Sequence, residues 1–270
     1  MQVAATRGTS SIRGAGSWLA NWPGTYRILT LAIFLLIWQV YASLAGSLLI
    51  PTVDETIAGV ATLAFDPRLW SAFLASNQAM VIGFVIAMII GVPLGLALGR
   101  FRSLEAFVNV YISFLLVSPL AIIIPLLIMS MGIGLIPRVT LTALFAAINI
   151  VVTCRAGVRQ VDLSLIEMSR AFGASEIQTW RRVLLPGSLP AIMAGARLGL
   201  GAAVEGMVII ELLMVAVGIG NLVITFRGLF EPGLLYGVIV FVVAEGLILI
   251  TIARWIERRL TPWVWRSGLR

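Results

Sequence analysis

Six apolar stretches, each long enough to cross a lipid bilayer as a helix, constrain this chain more than any other feature. They run over residues 28–46, 73–99, 106–131, 138–154, 191–217 and 234–252. A helix rises about 1.5 Å per residue, so roughly 20 apolar residues span the hydrocarbon core. Inside lipid no water is present to bond stray backbone groups, and a helix satisfies its own. Composition agrees: 60% of the 270 residues are hydrophobic, only 11% are charged, and mean hydropathy is +1.05. A soluble fold of this size has too little interior to hide that much apolar surface. The expected fold class is an all-α polytopic membrane protein with six transmembrane helices.

The basic residues orient the spans. The chain contains no Lys, so all 19 basic residues are Arg. Arg68, Arg138 and Arg227 lie on one side, Arg138 at the head of the fourth stretch, and the other 16 on the opposite side. Basic residues accumulate on the cytoplasmic side of membrane proteins. Both termini and residues 100–105 and 155–190 are therefore expected in the cytoplasm, with residues 47–72 outside. The only cysteine is Cys154 and there is no His, which removes zinc, Cys–His and disulfide chemistry. No basic face with interleaved aromatics suggests nucleic acid as a partner.

Several span residues invite particular roles. Gly91, Gly95 and Gly99 lie four apart and make a small-residue face for close helix packing. Ser118, Pro119 and Pro125 suggest a broken third span, either lining a pathway or simply kinked. Asn149 needs a hydrogen-bond partner in hydrocarbon. Glu205, Glu211 and Glu245 are costly there unless paired, protonated or facing a cavity, and the i,i+6 spacing of Glu205 and Glu211 puts them on opposed flanks. These seven residues are the candidate pathway set. Outside the spans, Thr52 caps an expected short amphipathic helix over residues 54–65. Pro190 reads as the start of the fifth span.

The longest polar interruption is EMSRAFGASEIQTWRRVLLP, residues 167–186. Glu167 and Arg170 have helical ion-pair spacing, Gly173 breaks a first short helix, and Pro186 limits a second. The segment is charged, has an apolar side, and invites a partner outside the bilayer. Its pattern is Glu167, five residues, Gly173, nine residues, Val183, one residue, then Leu185-Pro186. It resembles the coupling loop of ABC importer permeases, although the usual Glu-Ala-Ala opening is replaced by Glu167-Met168-Ser169.

The resemblance extends over residues 28–260. IPTVDET (50–56), SPLAIIIPLLIMSMGIG (118–134) and LIEMSRAFGAS (165–175) look like the nitrate/sulfonate/taurine/bicarbonate branch of these binding-protein-dependent permeases. The resemblance implies a type I importer permease fold, with an arm at 1–27, a permease domain at 28–260 carrying a coupling loop at 155–190, and a tail at 261–270. It implies a homodimer in the bacterial inner membrane, a cytoplasmic ATPase dimer, and a periplasmic or lipid-anchored binding protein. Glu167, Met168, Ala171, Phe172, Gly173, Ile177, Trp180, Leu185 and Pro186 would form the ATPase contact. No phosphate-binding loop is present, so ATP and Mg²⁺ are expected on the ATPase and no cofactor on this chain. The implied cargo is a small solute: a small anion, an aromatic carboxylate or a pyrimidine. Two other classes remain open on the residues alone: an ion-coupled carrier using the span carboxylates, and a membrane scaffold.

Overall fold

A computed structural model describes residues 23–46, 49–214 and 217–263. Among these the chain is helical throughout. The helices are α1 (Pro23–Ala45), α2 (Val53–Ala64), α3 (Pro67–Arg100), α4 (Arg102–Val117), α5 (Ile124–Met131), α6 (Leu135–Arg159), α7 (Leu163–Ala171), α8 (Glu176–Thr179), α9 (Leu185–Met214), α10 (Gly218–Gly228) and α11 (Pro232–Leu260). Four helices are long and apolar enough to cross a membrane, and there are up to six spans if two bent pairs each count as one. The bent pairs are α4 with Leu120–Met131, and Glu176–Met214 with α10.

The core is built around α6, which packs mainly against α3 and α9. Glycine on both neighbours permits the approach. A Cβ on Gly95 would lie 2.7 Å from both the Cys154 Cβ and the Val151 carbonyl. Gly83, Gly91 and Gly99 meet the same helix at Thr142, Ile150 and Val158. From the other side Gly199 faces Ile150 and Gly206 faces Phe145. Without a hydrophobic drive between helices in lipid, such close contact supplies the dispersion energy that holds spans together. The small face expected over Gly91, Gly95 and Gly99 is thus an α3–α6 seam. Cys154 is a fully buried part of it.

The first two helices flank this core. Thr52 caps α2 in a full capping box with Glu55, close to the expected helix. α1 is tied to the start of α2 by polar contacts. Trp38 donates from Nε1 to the Pro51 carbonyl at 3.0 Å, and Gln39 receives the Val53 N–H at 2.7 Å. α2 packs on α11, where Gly59 and Gly233 bring the backbones together.

Two sequence expectations change, and the expected break of the third span is located. Residues 23–27, assigned to the arm, already belong to α1; the remainder of the arm, with Trp18 and Trp22, lies outside the described residues. The third span bends by 93° between α4 and Leu120–Met131. Pro119 sets the break, while Pro125 starts α5, where its missing N–H costs nothing. Finally, Pro186 ends no helix and Pro190 starts none. α8 runs through a π turn, Trp180–Leu184, directly into α9. The Leu185 N–H reaches back to the Trp180 carbonyl, so the widened turn admits Pro186 in the first turn of α9.

Gly95→Leu forces α3 and α6 apart and should lower the melting temperature of the detergent-solubilised protein by roughly 5 °C or more, an overpacking cost of about 2 kcal/mol. Gly201→Ala, with no atom within 4 Å of the added carbon, should leave it unchanged. Light-scattering melts of both variants check this.

Candidate functional site: the coupling segment and the polar groups of the spans

The segment after α6 is ordered by local bonds. Asp162 caps α7, accepting the Ser164 N–H at 2.9 Å, and this bond holds its carboxyl below the usual range. The helix ends in a Schellman motif: Gly173 N–H donates to Arg170 O at 2.9 Å and Ala174 N–H to Ser169 O at 3.0 Å. Gly173 sits at φ +75°, a conformation that only glycine adopts without strain. Ser175 and Gln178 then form a capping box on α8. Ser169, which replaces the alanine of the coupling-loop pattern, hydrogen-bonds Thr179 between side-chain oxygens 3.0 Å apart and ties α7 to α8.

Charge fixes this unit to the spans. Arg100, at the end of α3, pairs with Glu176 at 2.5 Å, and Arg170 approaches the same carboxylate at 3.9 Å. Glu105 on α4 is paired with Arg155 and Arg159 on α6. Among the described residues Glu167 makes no ion pair, so the expected Glu167–Arg170 contact is replaced by Arg170–Glu176.

The unit leaves an apolar surface uncovered. Phe172 is 85% exposed and Ile177 71%. Met168, Ala171, Leu185 and Pro186 are exposed as well. Met168, Phe172, Val183 and Pro186 line a groove of about 460 Å³, with Trp263 on its far wall. Trp180 is placed differently from the rest. It is half-buried against Phe101, with ring centroids 6.3 Å apart, and packs on the core.

The candidate pathway residues divide into two groups. Ser118, Asn149 and Glu205 line one pocket at the break of the third span, and Pro119 is exposed at the same break. Glu211 lies elsewhere, only 1% exposed. Its carboxylate accepts from Arg138 at 3.2 Å, Ser76 Oγ at 2.7 Å and the Gly220 N–H at 3.2 Å. Ser76 in turn accepts the Ile219 N–H at 2.9 Å, and Arg138 also donates to the Ala75 carbonyl at 3.3 Å. Side chains of α3, α6 and α9 and the first N–H groups of α10 are therefore joined in one network, with the carboxylate at a helix N-terminus where the dipole favours it. Gly218, at φ +78°, leaves no room for a side chain beside Glu211 and Ser76. Glu245 is half-buried on α11 near Asn77, with Oε2 unbonded.

The sequence reading missed Ser76 and took Arg138, at the head of the fourth span, only as a marker of the outer side. Arg138 is buried in the first turn of α6. The signal that points to it is the cost of Glu211 itself, which demands a cation from another span. Arg197, in the same helix as Glu211, instead pairs with Glu257. Among the described residues no group of three or more His, Cys, Asp or Glu could hold a metal.

With the fold and these sites in place, comparison with known proteins defines the class. Residues 91–266 match the family model for the binding-protein-dependent transport system inner membrane component, and the chain belongs to that family. It is an inner-membrane permease of the ABC importer type, a transport component rather than a catalyst. It is 31% identical over 246 residues to the riboflavin transport system permease protein RibX of Chloroflexus aurantiacus, covering 90% of this chain and 91% of that one. It is 28% identical over 246 residues to the taurine transport system permease protein TauC of Escherichia coli, covering 88% and 90%. In fold it resembles the inward-facing MetNI methionine ABC transporter, with a TM-score of 0.56, 24% identity and coverage of 70% of this chain and 94% of that one. It also resembles an amino acid ABC transporter solved with histidines, with a TM-score of 0.61, 17% identity and coverage of 74% and 97%. Family membership favours neither the ion-coupled carrier nor the scaffold.

Glu211→Ala should leave Arg138 buried without its counter-charge and lower stability by about 3 kcal/mol. The double variant Arg138→Met/Glu211→Met should recover most of that loss. Melting of the purified variants in detergent measures both, and a double variant no more stable than Glu211→Ala would show that the two side chains do not act as a pair.

Proposed function

We propose that this chain forms the membrane pathway of an ATP-driven importer for a small solute, working as a homodimer with a cytoplasmic ATPase dimer and an external binding protein. The observation that carries the reading is the coupling segment: two short helices joined by the Gly173 turn, anchored through Arg100–Glu176, with exposed Met168, Ala171, Phe172 and Ile177 facing away from the core. A groove on each ATPase subunit would take this apolar edge. Glu167 would supply a charged contact, because it has no ion-pair partner among the described residues of this chain. Trp180 would act from beneath, bracing the unit against Phe101 rather than touching the ATPase. ATP and Mg²⁺ would be bound by the ATPase alone.

The Arg distribution supports a cytoplasmic position for this segment and both termini. α2 and the exposed turn between α10 and α11 would then face the binding protein. The exposed apolar faces of α1 and α4 would be covered by lipid and the second copy. The named cargoes of relatives, taurine and riboflavin, support a small organic solute for this chain, within the taurine and sulfonate branch.

The test is co-purification with the ATPase of the same transport system. Phe172→Asp places a charge on the apolar edge, and Gly173→Val strains the turn; each should reduce ATPase recovery at least tenfold, or about 1.4 kcal/mol of binding. The permease itself should keep its elution volume and melting temperature in the Phe172→Asp variant. Full ATPase recovery with both variants would overturn the reading.

A further inference from the structure

The pocket at the break of the third span has a distinctive chemistry. Its volume is about 230 Å³. The bent span contributes Leu115, Leu116 and Ser118, α6 contributes Phe145 and Asn149, and α9 contributes Glu205. Apolar side chains wall the pocket, with Ser118, Asn149 and Glu205 set among them. Asn149 donates one amide N–H to the Phe145 carbonyl at 3.0 Å, which leaves its side-chain oxygen as an acceptor and a second N–H unspent. Pro119 withholds the N–H that the Leu115 carbonyl would take in an unbroken helix. Among the described residues Glu205 makes neither an ion pair nor a hydrogen bond. No Arg lines the pocket, and the nearby span cations are engaged, Arg138 by Glu211 and Arg197 by Glu257. The exposed carboxylate of Glu205 and the side-chain oxygen of Asn149 therefore share a small open pocket whose lining has no cationic donor.

We propose that this pocket is a waypoint for the transported solute, and that Glu205 makes it selective for an organic nitrogen, cationic or N–H-donating, carried on an apolar body. The proposal rests on the permease reading and narrows its cargo. A small inorganic anion would meet the uncompensated negative charge of Glu205, with only the Ser118 hydroxyl and one remaining Asn149 N–H to donate to it. An ammonium or a ring N–H would instead satisfy Glu205 and Asn149 together, while its carbon frame lies against Leu115, Leu116 and Phe145. Two copies of the chain would bring two such carboxylates to the pathway and double the preference. Glu211 takes no part, since its charge is spent inside the core.

Charged thiol reagents test this on the full-length chain in liposomes, with or without the ATPase. Cys154→Ala removes the native thiol, and Ser118→Cys or Ala202→Cys places one in the pocket. The probes are the methanethiosulfonate reagents bearing a trimethylammonium-ethyl or a sulfonatoethyl group, each rate normalised to that with free 2-mercaptoethanol. The cationic reagent should react at least roughly tenfold faster than the anionic one, the scale expected when a single charge focuses counter-ions in a cleft. Adding Glu205→Gln should bring the two rates to within about threefold, whereas Glu205→Asp should keep the preference. A ratio unchanged by Glu205→Gln overturns the proposal. Failure of both reagents to react also overturns it, because the pocket would then be sealed. Because the rates are read without the ATPase, an error in the coupling reading would leave this ratio intact and remove only any effect of ATP.

Discussion

The structure depends on how closely α3 and α9 approach α6. Lipid tails are as apolar as leucine, so burying a leucine between spans gains little over leaving it in the bilayer. Contact at van der Waals distance remains, and glycine provides it. Gly95 against Cys154 and Gly199 against Ile150 put the backbones of three spans within reach of each other's side chains. Two further features become possible at that distance. Ser76, Arg138 and Glu211 can meet in the dry interior, and α9 can begin close enough to α3 for Glu176 to reach Arg100.

Much of this was legible in the sequence, and the parts that were not have physical reasons. Local signals read well. Thr52 announced a helix start, Gly173 announced a helix break, and the three glycines spaced by four announced a packing seam. Signals between distant residues read poorly. Glu211 and Arg138 are 73 residues apart, and an arginine at the head of an apolar run looks like a loop marker until its partner is known. Proline misled for another reason. Pro186 and Pro190 suggest helix boundaries, but Pro186 falls in the first turn after a π turn, where its missing N–H does no harm. Pro119 and Pro125 did indicate the break they make, though only Pro119 interrupts the helix.

The candidate site residues divide along the same line. Met168, Phe172 and Ile177 project from the coupling segment as an amphipathic reading suggests, while Trp180 folds under it against Phe101, an aromatic that follows a different span. Ser118, Asn149 and Glu205 are far apart in sequence yet share one pocket, because the bend after α4 folds the third span over the face that α6 and α9 present. Glu205 and Glu211 stand on opposed flanks of α9, and their fates differ accordingly: one is locked in the core and one is left unpartnered at a cavity.

The π turn between α8 and α9 bears on how the two ends of the molecule communicate. Because Trp180–Leu184 keeps helical hydrogen bonding across Pro186, Glu176 and Glu211 ride on one helical rod. A loop at that point would let the coupling segment swivel and absorb a push. A rod would pass a push on as a change of tilt felt at its far end, where Glu211 grips Arg138 and the start of α10. The ion pair at one face and the short helices at the other are thus two handles on the same lever, with the glycine seam at Ile150 as its fulcrum.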